Sequence, residues 1–405
     1  MGILKGAQKI YFVGIGGIGM SGLARLLHLQ GKDVSGSDLN ATELTRDLGL
    51  EGVKVTIGHV ALPEVDLLVY SEAVPKTDPQ RLEAKERGIE EMNYFDALGD
   101  FAEDYRLLAV AGTHGKTTTV AMLALILTEA GCDPTVLVGT KVREFEGKNI
   151  RLGEGDLMLV EACEYRRDFL SLNPALLGVT NIELDHMDYY KDLFDYRSAF
   201  EELSEQTEET IWPDDYSEYS GELSVPGEHN LMNAGLAAHM ARRLGVPEAA
   251  IATALASFAG TWRRFEYKGE MNGAPVIDDY AHHPTEIRAT LSAAAEEFPN
   301  RNIIAVFQPH QYSRTIALLD EFASSFEGAS EIIIPGIYEV RDTEVDKNRI
   351  NAESFVSEIK KNHMNVKFID GLDATAKHLR ENLGQDDLLL IMGAGSIDTL
   401  HNLLL

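Results

Sequence analysis

Short apolar runs alternate along the chain with longer stretches in which apolar residues recur every three or four positions. The runs KIYFVGIGG, VDLLVYSEAV, YRLLAVAG, DLMLVEACE and ALLGVTNIE each end in glycine or polar residues. This is typical of strands buried inside a parallel sheet. The stretches MSGLARLLHLQG and KTTTVAMLALILTEAG carry the helical pattern. The alternation predicts layered α/β domains with mainly parallel sheets.

The strand and helix pattern runs through three separate cycles. The second begins at YRLLAVAG, and the third begins near APVIDDYAHHPTE and continues through NIIAVFQPH, EIIIPGIY and DLLLIMGAG. A chain of 405 residues is long enough for two or three domains. We therefore predict three domains, comprising residues 1–104, 105–267 and 268–405. The acidic stretch 201–223 is predicted to be a solvated helix end and a hairpin.

The charge and the cysteines limit the class of protein. The formal net charge is −29, whereas binding to a phosphate backbone requires clustered lysine and arginine. We therefore expect no nucleic-acid partner and no binding to an anionic membrane. Cys132 and Cys163, without a CxxC pattern, indicate reduced thiols. The N-terminus does not look like a signal peptide, and no apolar run of about 20 residues could span a bilayer, so we expect a cytoplasmic protein.

The stretch AVAGTHGKTTT, residues 109–119, looks like a phosphate-binding loop in compact form. It follows an apolar strand and precedes a long apolar helix, which is the context that such a loop requires. A helix N-terminus offers free N–H groups and a partial positive charge to phosphates. Gly112 and Gly115 allow close approach of the backbone, Lys116 can reach the β- and γ-phosphates, and the Thr117 hydroxyl can bind Mg²⁺. The stretch therefore predicts a nucleotide site.

Acidic residues follow two further apolar strands. Glu161 and Glu164 end the run LVEACEY, and Glu183, Asp185 and His186 lie in TNIELDHMDYY. Open α/β sheets bind their ligands at the carboxyl ends of the strands. Carboxylates beside a phosphate loop are suited to binding Mg²⁺, which prefers oxygen. We predict metal ligands here, with a capping or hydrogen-bonded His186 as the alternative.

A second glycine-rich loop lies near the N-terminus. Gly14, Gly16 and Gly19 form a GxGxxG pattern after the first strand, and Asp38 follows 19 residues after Gly19. Taken alone, this pattern is a dinucleotide fingerprint and favours an NAD-dependent oxidoreductase. The same geometry serves any pyrophosphate that lies on a helix N-terminus.

The order of the motifs resembles the Mur ligase family. The motifs are GTHGKTTT, EACEYRRDFL, TNIELDHMDYY, PGEHNLMNA, GTWRRFEY, DDYAHHPTE and FQPHQYSRT. The resemblance covers nearly the whole chain. It implies a Rossmann-like UDP-binding domain, a central P-loop ATPase and a Rossmann-like C-terminal domain for the amino acid. It is strongest to the branch that joins L-alanine to UDP-N-acetylmuramate through an acyl phosphate in peptidoglycan precursor synthesis. It further implies ATP and Mg²⁺ as cofactors and a monomer or weak homodimer.

The resemblance also assigns site residues. The UDP-sugar is expected at Gly14, Gly16, Gly17, Ile18, Gly19, Ser37, Asp38 and Ser71. ATP is expected at Gly112, Thr113, His114, Gly115, Lys116, Thr117, Thr118, His229, Asn230, Asn233, Arg264 and Asp278. The expected metal ligands are Thr117, Glu161 and His186, and the expected amino-acid contacts are His282, His310 and Arg314. The groups expected to act in catalysis are Lys116, Glu161, His186, His283 and Arg314.

Three positions depart from the pattern of the family. Phe200 stands where later-acting ligases carry a lysine that is used as a carbamate, and the alanine-adding branch also lacks that lysine. Cys163 stands where aspartate is common, and Gln311 stands where many relatives have arginine. If Gln311 occupies the carboxylate site, Arg314 carries most of the amino-acid recognition, with His310 or Arg341 as alternatives.

Three other functions stay open at this point. The peptide-recycling ligase of the same family shares most of the motifs and joins a whole peptide to the same UDP-sugar. An NAD-dependent oxidoreductase would use the N-terminal glycine loop, but it has no need of the second phosphate loop. Lys116, Glu161 and His186 argue against a non-catalytic nucleotide-binding regulator.

Overall fold

The computed structural model describes residues 2–340 and 342–405, and in this range the strands form three sheets. Each sheet is wholly or mainly parallel. The predicted α/β class with mainly parallel sheets is therefore confirmed.

The first sheet consists of five parallel strands. They are β1 (Lys9–Val13), β2 (Asp33–Asp38), β3 (Lys54–Ile57), β4 (Leu67–Tyr70) and β5 (Glu90–Asn93). Their spatial order is β3-β2-β1-β4-β5. The order reverses between β1 and β4, and open sheets bind ligands at such a switch point.

The second sheet has six strands. They are β6 (Arg106–Ala111), β7 (Thr135–Val142), β8 (Lys148–Arg151), β9 (Leu157–Glu161), β10 (Leu176–Val179) and β11 (Glu209–Ile211). The order is β11-β10-β6-β9-β7-β8, and only the β7–β8 pair of these is antiparallel. Strand β6 is buried from its second residue onward. Its carboxyl end therefore lies between the carboxyl ends of β9 and β10.

The third sheet also has six strands. They are β12 (Glu266–Met271), β13 (Ala274–Asp279), β14 (Asn302–Phe307), β15 (Glu331–Ile334), β16 (Val366–Phe368) and β17 (Asp387–Met392). The order is β12-β13-β17-β14-β15-β16, with β12 antiparallel to β13. Side chains from the strands and from the helices packed on them form two apolar clusters. One contains Phe307, Phe322 and Phe355, and the other contains Leu389 and Ile391.

Helices connect the strands, and several begin at a capping residue. Asp78, for example, accepts hydrogen bonds from the N–H groups of Gln80 and Arg81. The α-helices span Ile3–Gly6, Ile18–Leu29, Glu43–Leu50, Pro79–Arg87, Tyr94–Ala102, Lys116–Glu129, Leu193–Glu205, Glu228–Arg243, Glu248–Ser257, Pro284–Glu297, Tyr312–Ala317, Leu319–Ala323, Glu344–Lys347, Ala352–Ile359, Leu372–Asn382 and Leu400–Leu404. Short 3₁₀ turns span Arg143–Phe145, Tyr165–Ser171, Pro213–Asp215 and Ser396–Thr399. Within the described residues, we find no helix with the length and apolar character needed to cross a membrane.

The chain forms two compact units. The first holds the first two sheets and comprises the residues up to 183 with 193–222 and 233–257. The second holds the third sheet and comprises 184–192, 223–232 and 258–405. His186 therefore belongs to the second unit, although the chain on both sides of its segment belongs to the first. The predicted boundary at residue 267 falls inside β12.

Among the described strands, eight were not predicted: β2, β7 and the six edge strands β3, β5, β8, β11, β12 and β16. The hairpin expected in the acidic stretch 201–223 is wrong, because β11 adds to the sheet parallel to β10. The helix end expected in the same stretch is present at Glu205. Strand β12 precedes the predicted start of the third cycle. Both strands lie at sheet edges and are largely polar, so their sequences carry little of the apolar signal that marks a buried strand.

Candidate active site

The N-terminal glycine loop joins β1 to the helix Ile18–Leu29. Gly14 has a φ of 81°, and a Cβ atom there would lie 3.1 Å from Ser71 Cβ. The N–H of Gly16 donates to Asp38 Oδ2 at 2.9 Å. A Cβ atom at Gly19 would meet the Tyr94 ring at 2.6 Å. The loop, Asp38 and Ser71 therefore meet at the carboxyl ends of β1, β2 and β4, where the UDP-sugar site is predicted.

Ser37 lies in β2, and its carbonyl accepts the N–H groups of Gly14 and Ile15 at 2.8 and 3.0 Å. Its side chain is buried, and its hydroxyl donates to Gln80 Oε1 at 2.7 Å. Gln80 in turn donates to the Tyr11 hydroxyl at 2.8 Å. The Ser37 hydroxyl therefore belongs to a buried network, and only the main chain of Ser37 is bonded to the glycine loop.

A buried arginine that the motifs did not indicate supports the same helix. Arg25 donates to Glu51 Oε2 at 2.6 Å and to Asn149 Oδ1 at 3.2 Å. Asn149 then donates to the carbonyl of Ile18 at 2.8 Å, in the first turn of the helix. These bonds tie the helix that follows the glycine loop to strand β8. The partners lie far apart in sequence, so only the fold reveals them.

The compact phosphate loop leads from β6 into the helix Lys116–Glu129. Gly115 has a φ of 82° and is the N-cap of this helix, and Gly112 has a φ of 136°. A Cβ atom at Gly112 would overlap Thr180 Oγ1, and one at Gly115 would overlap Asn233 Oδ1. Both positions therefore need glycine for conformation and for space.

Two residues directly after strand β10 hold the phosphate loop, and these were not among the predicted site residues. Asn181 Oδ1 accepts the N–H of His114 at 2.9 Å, and Asn181 Nδ2 donates to the His114 carbonyl at 3.0 Å. Thr180 Oγ1 donates to the same carbonyl at 2.5 Å. Their position at the carboxyl end of an apolar strand was the available signal.

Lys116 forms an ion pair inside the loop. Its Nζ lies 2.9 Å from Oε2 and 3.1 Å from Oε1 of Glu164, and it also donates to the carbonyls of Gly112 and Thr113. Tyr196 donates to Glu164 Oε1 at 3.2 Å. Burial lowers the pKa of Lys116, but the charge of Glu164 outweighs it, so the pKa is raised above its ordinary value. Lys116 is therefore held as a cation at the place where phosphate is expected.

Two oxygen donors stand beside this lysine. Thr117 Oγ1 donates to Glu161 Oε2 at 2.8 Å, and the N–H of Gly139 donates to the same oxygen at 2.9 Å. A hydroxyl and a carboxylate at this separation are the hard ligands that Mg²⁺ prefers. Thr117 and Glu161 therefore fit a magnesium ion. Cys163 follows two positions later, and burial raises its thiol pKa to about 12, so the thiol is unreactive near neutral pH.

The residues expected near adenine divide between two environments. Asn233 packs with the phosphate loop, 3.4 Å from Thr119 Oγ1 through its Oδ1. Asn230 donates to the carbonyl of Pro226 at 2.6 Å, and His229 is exposed. Phe200, at the position of the family's lysine, is fully buried against Phe169 at a ring distance of 5.4 Å.

In the second unit, the three residues expected at the amino acid lie close together. The rings of His282 and His310 are 6.1 Å apart, and His310 Nδ1 lies 3.5 Å from Arg314 Nη1. Burial is the largest cause that lowers the pKa of His282 to about 3, so its ring is neutral near pH 7. Arg314 also contacts Asp185. Its Nε and Nη2 make three hydrogen bonds to that carboxylate at 3.1, 3.1 and 3.2 Å.

The other predicted residues of this unit have mainly structural partners. Asp278 is 0% exposed and accepts from Arg263 Nε at 2.9 Å. Burial is the main cause that raises its pKa to about 6. The predicted contact of Asp278 with nucleotide is therefore corrected, because the carboxylate has no accessible surface. His283 is the N-cap of the helix Pro284–Glu297, and Arg264 Nη1 lies 3.6 Å from Glu286 Oε1.

Gln311 does not present its amide as a free donor. Its φ is 74°, and its Nε2 donates to the carbonyl of Val340 at 3.3 Å. Arg341, the alternative carboxylate partner, lies outside the described residues. The side chain of Gln311 therefore braces a neighbouring loop.

Comparisons with known proteins agree with this geometry. The family model described as "Mur ligase family, catalytic domain" matches residues 9–106, "Mur ligase middle domain" matches 110–217, and "Mur ligase, glutamate ligase domain" matches 263–395. The UDP-N-acetylmuramate–L-alanine ligase of Clostridium kluyveri is 37% identical over 96% of each chain.

Two solved structures resemble the whole fold. The UDP-N-acetylmuramate-alanine ligase of Thermotoga maritima has a TM-score of 0.83, with 30% identity over 97% of both chains. A murein peptide ligase of Psychrobacter arcticus has a TM-score of 0.71, with 25% identity over 98% of both chains. Since three models of one family match in order along its length, and a curated member is similar over nearly all of it, the chain belongs to the Mur ligase family.

Proposed function

We propose that this protein is an ATP-dependent, amide-bond-forming ligase that joins L-alanine to the lactyl carboxylate of UDP-N-acetylmuramate. The observation that carries the proposal is the presence of two separate glycine loops in the first compact unit, at residues 14–19 and 112–116. Each leads from a strand into a helix N-terminus, where phosphate groups bind. Two phosphate-bearing substrates require two such loops, whereas an oxidoreductase would use only the first.

The first loop takes the pyrophosphate of the UDP-sugar. Asp38 stabilises the loop through Gly16, and Ser71 borders Gly14. Main-chain N–H groups at a helix start carry partial positive charge, which attracts a pyrophosphate. This local charge matters because the whole chain has a net charge of −29. The residues that we propose to contact this substrate are Gly14, Gly16, Gly17, Ile18, Gly19, Asp38 and Ser71.

The second loop takes the phosphates of ATP. The ammonium of Lys116 already lies within the loop, and ATP phosphates would replace part of its contact with Glu164. In the first unit, the residues that we propose to contact ATP are Gly112, Thr113, His114, Gly115, Lys116, Thr117, Thr118 and Asn233. His229, Asn230 and Arg264 belong to the second unit and stay predicted contacts. Thr117 and Glu161 of the first unit would hold a magnesium ion, which neutralises charge on the phosphates. His186, in the second unit, stays a predicted ligand.

The reaction proceeds in two steps. An oxygen of the lactyl carboxylate attacks the γ-phosphorus of ATP, the bond to the bridging oxygen breaks, and ADP leaves. The alanine amine then attacks the carbon of the resulting acyl phosphate, inorganic phosphate leaves, and the nitrogen loses its proton. Lys116 stabilises charge on the transferred phosphoryl group, which is mainly an electrostatic task.

The amino acid binds in the second unit, beside His282, His310 and Arg314. The three hydrogen bonds to Asp185 use Nε and Nη2 of Arg314, and we propose that Nη1, which lies 3.5 Å from His310 Nδ1, donates to the alanine carboxylate. His282 is neutral near pH 7, so its ring does not repel the positive charge of an incoming amino group. We assign no chemical step to His283, whose ring caps a helix.

The domain boundaries are part of this proposal. We propose a UDP-sugar-binding domain at residues 1–104, an ATP-binding domain at 105–265 and an amino-acid-binding domain at 266–405, because the third sheet begins at Glu266. The cytoplasmic location and the monomer or weak homodimer stay predictions.

A coupled assay of ADP release tests the function. The protein is incubated with ATP, Mg²⁺ and UDP-N-acetylmuramate, and amino acids are added one at a time. Formation of UDP-N-acetylmuramoyl-L-alanine, identified by mass, is the expected result. Ligation of a tripeptide and not of alanine would assign the peptide-recycling activity instead. NAD binding without ADP release would overturn the ligase assignment.

A further inference from the structure

The carboxylate of Asp185 lies at the centre of four hydrogen bonds. Three come from Arg314, and the fourth comes from the main-chain N–H of His186 to Oδ1 at 2.7 Å. The side chains of Asp185 and Arg314 are each only 7% exposed. Asp185 and Arg314 are 129 residues apart in sequence, and both belong to the second compact unit. Asp185 therefore connects Arg314 to the backbone of His186.

The backbone of His186 is in a conformation that it would not adopt by itself. Its φ is 53°, in the left-handed region that residues with a Cβ atom usually avoid. Its carbonyl accepts the N–H groups of Tyr189 and Tyr190 at 2.9 and 3.0 Å. With its N–H held by Asp185, both sides of this residue are fixed. Such strained conformations persist when the surrounding structure over-determines them, and they cluster at functional sites.

Arg314 is itself held firmly enough to act as a support. It lies in the helix Tyr312–Ala317, whose first turn is tied by hydrogen bonds from the Thr315 N–H and hydroxyl to the Gln311 carbonyl at 3.1 and 2.7 Å. The planar guanidinium binds a carboxylate through parallel N–H groups, which fixes orientation as well as position. Lysine at this position would keep the charge and lose the fork geometry.

We propose that Arg314 is a positioning residue for His186 and acts through Asp185. The guanidinium orients the Asp185 carboxylate, the carboxylate holds the His186 N–H, and the left-handed backbone then directs the imidazole. This inference rests on the proposed function and on the prediction that His186 is a metal ligand. It adds a second task for Arg314 that is separate from recognition of the amino acid.

Binding of Mn²⁺ in the presence of ATP, followed by electron paramagnetic resonance, tests the proposal without turnover. The variants are Asp185→Asn, Arg314→Lys and the two combined. Asp185→Asn preserves shape and removes the charge that pairs with the guanidinium. We expect each single variant to weaken Mn²⁺ binding about 10-fold, as is usual when a partner of a metal ligand is lost. The double variant should be no weaker than the weaker single variant, because both changes break one chain of contacts.

The alanine KM separates positioning from direct binding. Asp185→Asn should weaken Mn²⁺ binding while it raises the alanine KM far less than Arg314→Ala does, because the substrate-binding guanidinium is still present. The control is Arg349→Lys, an exposed arginine of the same unit whose Nη1 lies 4.0 Å from Asp346, and it should change neither quantity. Thermal melts establish that each variant is folded. If Arg314→Lys does not fold, the Mn²⁺ affinity of Asp185→Asn alone tests the positioning role.

Three outcomes have distinct meanings. Unchanged Mn²⁺ affinity in Asp185→Asn, or single effects that multiply in the double variant, overturns the positioning role. Unchanged Mn²⁺ affinity in His186→Ala instead overturns the metal-ligand role of His186, on which the proposal rests. Absence of alanine ligation by the unmodified protein overturns the proposed function, whatever the binding measurements show.

Discussion

Both carboxylate oxygens of Glu164 contact the ammonium group of Lys116, with Oε2 at 2.9 Å and Oε1 at 3.1 Å from Nζ. The segment that follows β9 therefore supplies a counter-ion to the phosphate loop. A buried lysine without such a partner would tend to lose its proton. Glu164 keeps Lys116 charged, and the same lysine can transfer part of its contact to phosphate when ATP binds.

Replacement of Lys116 by alanine tests the ATP site. We expect Lys116→Ala to lower the ligation rate by at least about 100-fold, since one lost electrostatic contact to a reacting group typically costs that much. UDP-N-acetylmuramate binding, measured by calorimetry, should survive because the first glycine loop is separate. Lys148→Ala is the control, an exposed lysine of the same unit. Near-normal turnover in Lys116→Ala would refute the ATP-site assignment.

Gly115→Ala tests the need for space in the loop. The variant must adopt a φ near 82° and displace the Asn233 side chain. We expect a loss of about 1–2 kcal/mol in unfolding free energy from the left-handed backbone and a sharp loss of ATP affinity. Gly147→Ala is a matched control, because Gly147 has a φ of 74° and open space around it. That variant should lose stability but bind ATP normally. Equal ATP affinities in the two variants would contradict the steric argument.

Phe200 predicts an activity that is independent of bicarbonate. The side chain is fully buried between Phe169 and Tyr196, with ring distances of 5.4 and 5.2 Å, so there is no amine to carbamylate at this position. The ligation rate is measured with increasing bicarbonate at fixed pH, against equal concentrations of chloride. The two series should coincide. A large rise with bicarbonate alone would show that another lysine serves as the carbamate.

Asp168 predicts a pH-dependent stability. Burial and the nearby Glu72 raise its pKa to about 7. The folded protein therefore holds this proton more tightly than the unfolded chain, and its stability falls as pH rises from about 4 to about 7. We expect Asp168→Asn to gain about 1–2 kcal/mol in unfolding free energy at pH 8, with little effect at pH 4. Thermal unfolding at both pH values is the measurement, with Glu129→Gln as an exposed control. An equal gain at both pH values would refute the titration.

Arg314 and Gln311 predict the pattern of amino-acid affinity. Arg314→Ala should raise the alanine KM sharply, because a charge-assisted hydrogen bond to the substrate carboxylate is worth about 1.5–3 kcal/mol. Gln311→Arg should leave the alanine KM unchanged, since the Gln311 amide is already bonded to the Val340 carbonyl. Discrimination among alanine, serine and glycine should be modest, because one methyl group in a pocket is worth about 1–3 kcal/mol. An alanine KM that Arg314→Ala does not change would place the carboxylate elsewhere.

Much of the fold could be read from local pattern. Central strands such as β6 and β17 are buried on both faces, so each appears in the sequence as a continuous apolar run. The two phosphate loops were recognisable because each needs glycine at positions of positive φ, next to a strand and a helix. These signals are local: a buried strand or a tight turn constrains the residues at its own positions.

What the sequence by itself determined was therefore the α/β class, the two glycine loops and the family. The tertiary structure decided the polar edge strands β11 and β12 and the pairing of charged groups. Lys116 with Glu164, Arg263 with Asp278 and Arg314 with Asp185 are separated by 48, 15 and 129 residues. A charged residue carries no local mark of its partner, because the partner is chosen by proximity in space and by shared burial. For that reason Asp278 and Ser37 looked like ligand contacts in the sequence, and the fold encloses both.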